Sequence, residues 1–190
     1  MINNLSKKVS QDLQSFEPKL EIGASTSKQI CWYFINIIFF KSSLPFPSPL
    51  KTFLLKLFGA KIGNKVRFKP CINIKYPWKL TIGNDCWIGE NVWIDNIDEV
   101  IIENNVCISQ GAFLLTGNHD YKKTTFDLIT GKIILKSGVW IGAKAIVCPG
   151  VTCFANSILT VGSIANKNLI ENTIYSGNPA KEIRKRFNEL

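Results

Sequence analysis

One histidine, His119, occurs in the chain of 190 residues, inside the run TGNHDY (116–121). An imidazole with its ordinary pKa of about 6.5 can take a proton from a hydroxyl near neutral pH, which makes His119 the candidate general base. A lone loop histidine without context is more often inert, so its weight depends on where the chain carries it. The six cysteines, at 31, 71, 86, 107, 148 and 153, show no CxxC spacing and are scattered through apolar segments. They read as small buried thiols of a reducing compartment, with neither a disulfide framework nor a zinc site expected.

Apolar residues make up 46% and charged residues 19%, the composition of a globular chain. The net charge of +9 favours an anionic partner: nucleic acid, a membrane surface or a phosphate-rich cofactor. Nucleic acid is disfavoured, because the basic residues are not interleaved with aromatics in a recognisable binding motif. The apolar run ICWYFINIIFF (30–40) has 11 residues before Lys41, against about 20 for a membrane span. No cleavable signal is read in the polar N-terminus. A cytoplasmic protein is expected, with the N-terminal arm open to peripheral membrane contact.

Residues 1–20 are polar and expected to fray. Two short helices are expected at 27–40 and 49–58, separated by SSLPFPSP, whose prolines cannot continue a helix. In the second, Leu50, Phe53, Leu54, Leu57 and Phe58 form an apolar stripe with Lys51 and Lys56 on the other face. The arm is expected to pack on the main domain rather than lie on a membrane.

From Ile62 a period of six takes over: IGNKVR (62–67), IGNDCW (82–87), IGENVW (88–93), IENNVC (102–107), ISQGAF (108–113), IGAKAI (141–146) and VCPGVT (147–152). An aliphatic residue opens each hexad and a small one returns at the fifth position. Neither an ordinary helix nor an alternating strand has this period. A triangular coil does: each face holds a short strand with one aliphatic side chain inward, and stacked turns sit about 4.8 Å apart. The expected organisation is a helical arm over 1–60, a β-helix of about five coils over 61–170 with an inserted loop at 115–134, and a basic tail or short helix over 171–190.

The repeat breaks on one edge. The intervals 62–82 and 82–102 hold 20 residues where three hexads need 18, and after Leu114 the same corner opens into a long excursion that ends near Leu135. Asp95 is therefore expected one turn from Leu115, and His119 beside a ledge bearing Asp95, Asn96 and Asp98. Carboxylates and amides suit the hydroxyls of a sugar or another polyol. Asn118, Asp120 and Tyr121 are further candidate acceptor contacts, with a loop-structuring role as the alternative for the last two. Either Asp120 or a loop carbonyl would orient the His119 ring.

Over about residues 60–186 the hexads resemble the left-handed β-helix acyltransferase family. VCISQGAFLLTGNHDY, GVWIGAKAIVCPGVT and SGNPAKEIRKR are most similar to the colanic-acid-biosynthesis acetyltransferases, near the galactoside and maltose branch. The resemblance implies a left-handed parallel β-helix and a homotrimer in which acetyl-CoA, the acyl donor, lies between subunits. It implies that His119 deprotonates an acceptor hydroxyl and that Ala143 lies near the thioester. Val161, Gly162, Asn166 and Lys167 would line the pantetheine groove, with Lys181 and Arg184 at the CoA phosphates. Alanine at 143 departs from the serine common in relatives, so oxyanion stabilisation would fall to backbone N–H groups. Cys153, Phe154 and Ala165 depart from the hexad, and the last coils are expected to be less regular.

The implied activity is direct O-acetylation of a sugar hydroxyl in exopolysaccharide or glycolipid assembly, with no acyl-enzyme and no metal. N-acetylation of an amino sugar, free or nucleotide-linked, is the runner-up, and a non-enzymatic binding β-helix ranks below both. Carbonic anhydrases of this fold need three zinc-binding histidines. Sugar nucleotidyltransferases need an additional α/β domain, for which the chain has no room.

Overall fold

The computed structural model describes residues 10–17 and 20–187. Its body is a left-handed parallel β-helix of about six turns. The first turn comprises strands Lys61–Ile62, Arg67–Phe68 and Asn73–Ile74, one on each face. Their partners lie one turn on: Ile62 pairs with Ile82, Phe68 with Ile88, and Ile74 with Ile94. This 20-residue interval recurs in the next turn, lengthens across the excursion where Ile102 pairs with Leu135, and shortens to 18 where Leu135 pairs with Cys153. The sixth turn, one more than the hexads suggested, comes from the bridge between Cys153 and Leu169 and from strand Thr173–Ser176.

The hexad opener is the inward side chain. Ile74, Ile94, Leu114, Val147 and Ala165 form one stacked column, all at most 1% exposed. Cys153 is likewise buried at 0%, so the late departures from the hexad narrow the core without breaking its register. Glycine at the second position has a steric cause. A Cβ at Gly83 would meet the Glu103 carbonyl carbon at 2.8 Å, and one at Gly142 would meet Val161 N at 2.6 Å. Stacked turns approach too closely there for a side chain.

Helices close the first turn. Helix α1 (Thr26–Ile35) starts at a Ser25 cap and runs into a π-helical turn, Asn36–Phe40; helix α2 is Ser48–Leu57. Trp32 donates from Nε1 to Ile74 O at 2.9 Å, and Ser48 Oγ accepts from Phe68 N at 2.9 Å. Lys51 is buried and donates to Lys69 O at 2.8 Å, while Phe53 and Leu57 are 61% and 63% exposed. This rotates α2 from the expected orientation: Leu54 is buried, Leu50 and Phe58 pack on the core and Lys56 is exposed as expected, but Lys51 and Leu55 turn inward in place of Phe53 and Leu57. The first turn offers bare carbonyls, which a lysine can satisfy and a phenylalanine cannot. Burial correspondingly holds the Lys51 amine below its usual pKa.

Two terminal expectations also change. Residues 10–17 are tied to the excursion, with Asp12 N donating to Thr124 O at 2.8 Å; residues 1–9 and 18–19 lie outside the described residues. The basic tail forms a strand, Lys181–Lys185, antiparallel to Thr173–Ser176. Residues 188–190 are outside the described residues. Among the described residues no helix is long and apolar enough to cross a membrane.

Candidate active site

The excursion is a β-hairpin. Strand Gly117–His119 pairs antiparallel with Leu128–Thr130, placing His119 opposite Leu128. Thr116, fully buried, anchors its base: its N and Oγ1 both donate to Asp95 O, at 3.2 and 2.8 Å, and Oγ1 accepts from Asp98 N at 3.0 Å. Asp95 pairs with Leu115, the register expected from the hexad count.

His119 is half-buried, with its imidazole parallel to the Phe126 ring at 4.2 Å between centroids and 4° between planes. Phe16 approaches at 5.6 Å with its ring tilted. Nδ1 lies 2.8 Å from Phe126 O. A carbonyl can only accept, so the proton of the neutral ring resides on Nδ1 and the lone pair on Nε2. The ring is thus oriented by a loop carbonyl; Asp120 instead accepts from Lys122 N at 3.1 Å through Oδ1, and its own N–H donates to Asp127 O. Phe126 has φ +51°, the left-handed region that a bulky residue occupies at a cost of about 1–3 kcal/mol. Lys123 and Thr125 fix that turn: Phe126 N donates to Lys123 O, Lys123 Nζ pairs with Asp127 at 2.8 Å, and Thr125 Oγ1 donates to Asp127 at 2.6 Å.

The other candidates divide. Asn118 Oδ1 accepts from His119 N at 2.8 Å, and Tyr121 is 80% exposed. Asp95 is ion-paired with Lys75 at 2.9 Å. Both border a cleft of about 580 Å³ between α1 and the third face, with Tyr76 and Trp93. Asn96 is fully buried. Its amide donates to Tyr76 O at 2.6 Å and accepts from Tyr76 N at 2.9 Å, leaving no surface for an acceptor. The expected ligand contact is corrected to a tie between the two bulges, reinforced by Lys79 Nζ donating to Ile97 O at 2.6 Å.

The proposed CoA contacts fall on two prism edges. Ala143, Val161 and Gly162 stand at the corner between second and third faces, where Gly162 N donates to Ala143 O at 2.9 Å. Val161 is 70% exposed, and a Cβ at Gly162 would meet nothing within 4 Å, so that edge is open. Asn166 and Lys167 stand, exposed, at the following corner, the one from which the His119 hairpin departs two turns earlier. Lys181 and Arg184 are exposed on the last strand.

Four of the six cysteines offer little nucleophilicity. Burial pushes the Cys153 thiol up to about 12 and raises Cys86, Cys107 and Cys148. Among the described residues no three His, Cys, Asp or Glu side chains converge on a metal position. Phe126, Phe16 and Lys75 escaped sequence reasoning. Phe126 carries no local signal of its role, since its carbonyl and its φ do the orienting.

No family model matches the chain. Over 177 residues it is 36% identical to an Escherichia coli (strain K12) protein provisionally named colanic acid biosynthesis acetyltransferase WcaF, covering 93% of this chain and 97% of the relative. It is 29% identical over 149 residues to the galactoside O-acetyltransferase of the same strain, covering 76% and 73%. A hexapeptide-repeat-containing acetyltransferase of Vibrio cholerae O1 biovar eltor, solved with acetyl coenzyme A, superposes with a TM-score of 0.75 at 21% identity, covering 92% of this chain and 97% of that one.

Proposed function

Because the chain belongs to the hexapeptide-repeat acetyltransferases, we propose that it transfers an acetyl group from acetyl-CoA to a sugar hydroxyl in exopolysaccharide or glycolipid assembly. The names of the two sequence relatives, one for colanic acid biosynthesis and one for galactoside O-acetylation, support a sugar acceptor. The observation that carries the mechanism is the hydrogen bond from His119 Nδ1 to Phe126 O, which leaves Nε2 as the basic nitrogen.

Nε2 takes the proton of the acceptor hydroxyl as its oxygen attacks the thioester carbonyl. Collapse of the tetrahedral intermediate breaks the carbon–sulfur bond, and Nε2 returns the proton to the departing thiolate. The products are the acetyl ester and free CoA thiol. Phe126 O stabilises the imidazolium formed between these steps. Transfer is direct, in keeping with the raised pKa of the buried thiols. With alanine at 143, the oxyanion is left to backbone N–H groups.

A homotrimer completes the site in this reading. His119 leaves one prism edge while Ala143 and Gly162 line another, which favours a thioester held by the open edge of a neighbouring subunit. Asp95 and Lys75 offer the acceptor its polar contacts at the cleft. Lys181 and Arg184 meet the CoA phosphates.

The test is CoA thiol release with a panel of sugars and amino sugars. Ester formation on a sugar is expected, and a folded His119→Ala variant should lose activity by about 10²–10⁴-fold. Full turnover by that variant would remove His119 from the mechanism, amide products alone would make the protein an N-acetyltransferase, and a monomer by light scattering would remove the shared site.

A further inference from the structure

The helical arm presents two faces. Trp32, Asn36 and Phe40, spaced by four, are buried against the first turn of the β-helix. On the opposite side Ile30, Tyr33, Phe34 and Ile38 are 53%, 60%, 58% and 52% exposed, the first three bordering the cleft of Lys75 and Asp95, and on α2 Phe53 and Leu57 are 61% and 63% exposed. Six large apolar side chains exposed on one short helical arm are uncommon on a solvated protein and mark a contact surface.

Charge selects the contact. Of the 23 basic and 14 acidic residues, ten basic and no acidic ones lie between positions 22 and 84, so the remainder of the chain is nearly neutral. Lys41 and Lys56 stand exposed on the arm itself, and Lys61, Lys65, Arg67 and Lys69 on the turn beneath it. The same surface of a second copy would bring charge of the same sign. A nucleic acid would meet the charge but leave the aliphatic side chains against a polar polymer. A bilayer with anionic headgroups answers both features: apolar side chains enter the acyl boundary by about 5–10 Å, and the lysines meet the headgroup layer. Neither helix is long enough to cross, so the contact lies in the plane of the surface.

We infer that the arm, through Ile30, Tyr33, Phe34, Ile38, Phe53 and Leu57 with Lys41 and Lys56, is a docking surface for anionic membrane. This inference does not depend on the acetyl-transfer reading, since its readout is partition, not turnover.

The test is flotation of the full chain with vesicles of phosphatidylcholine alone or of equal parts phosphatidylcholine and phosphatidylglycerol. Floating with the anionic vesicles is expected, weakening as salt rises from 0.1 to 1 M and the Debye length falls from about 10 to 3 Å. Replacing Lys41 and Lys56 with glutamate should weaken partition by at least about fivefold per lysine. Tyr33→Ser with Phe34→Ser should abolish it, with the melting temperature and oligomeric state unchanged. Three results would overturn the inference: no flotation with anionic vesicles, flotation indifferent to both sets of substitutions, or dissociation of the oligomer by Tyr33→Ser with Phe34→Ser, which would make the arm a subunit contact.

Discussion

His119 and Phe126 are joined twice, by a 2.8 Å hydrogen bond from the imidazole to the phenylalanine carbonyl and by parallel stacking of their rings. The two contacts separate on mutation. Phe126→Gly keeps the carbonyl and adopts φ +51° without strain, while the stack disappears. Stability is expected to hold or rise while kcat falls by on the order of tenfold, the worth of a ring pair. Steady-state kinetics beside thermal unfolding reads both, and equal losses in the two would indicate general loosening of the hairpin.

Asn96 ties two successive bulges together through the Tyr76 backbone. Asn96→Ala leaves the Tyr76 N–H without its partner, while Tyr76 O keeps the bond from Lys79 N at 3.0 Å, at an expected cost of about 1–3 kcal/mol in denaturant unfolding. The KM for the acceptor should stay near the wild-type value in the folded protein. A large rise in KM at unchanged stability would restore the side chain to the substrate.

Glu103 receives hydrogen bonds from Lys136 Nζ at 2.7 Å and from Ser137 N and Oγ at 3.0 and 3.1 Å, closing the turn where the repeat resumes. The Lys136 bond, followed by the Ser137 contacts, holds its carboxyl below the usual range. A depressed folded-state pKa stabilises above the unfolded value, and that contribution is lost as pH falls through the folded value. Glu103→Gln should therefore lower the melting temperature at pH 7 and leave it nearly unchanged in acid, once the wild-type Glu103 carboxyl is protonated in both the folded and the unfolded state. The group is about one-third exposed, so the effect at neutral pH is at most about 1 kcal/mol.

Lys181 and Arg184 lie exposed on the last strand, free of the core. If they meet the CoA phosphates, replacing both with alanine should raise the KM for acetyl-CoA by about tenfold or more, leave kcat near wild type, and steepen no unfolding transition. An unchanged KM would assign the basic tail to solvent.

The coil was legible because its constraint repeats: each turn needs aliphatic residues inward, and several corners need a residue without Cβ where backbones stack, so Ile88 and Gly89 state the same rule as Ile141 and Gly142. The broken corner could be counted for the same reason, which put Asp95 beside Leu115. What lay beyond the count depended on unrepeated contacts. Nothing local distinguishes Asn96, turned inward to a backbone, from Asp95 at the cleft, and nothing around Phe126 announces that its carbonyl holds a proton in place. Lys51 misled because its burial answers carbonyls of a neighbouring element, a demand invisible within α2.

A parallel coil has no intrinsic last turn: the groups that bind one coil to the next remain available at each end to another molecule. Trp32, Ser48 and Lys51 occupy those groups at the first coil, and the reversed strand Lys181–Lys185 lies along the sixth. The plugged ends make the protein a particle of fixed length, and a chain begun at residue 60 would be a seed for fibres, growing head to tail with concentration.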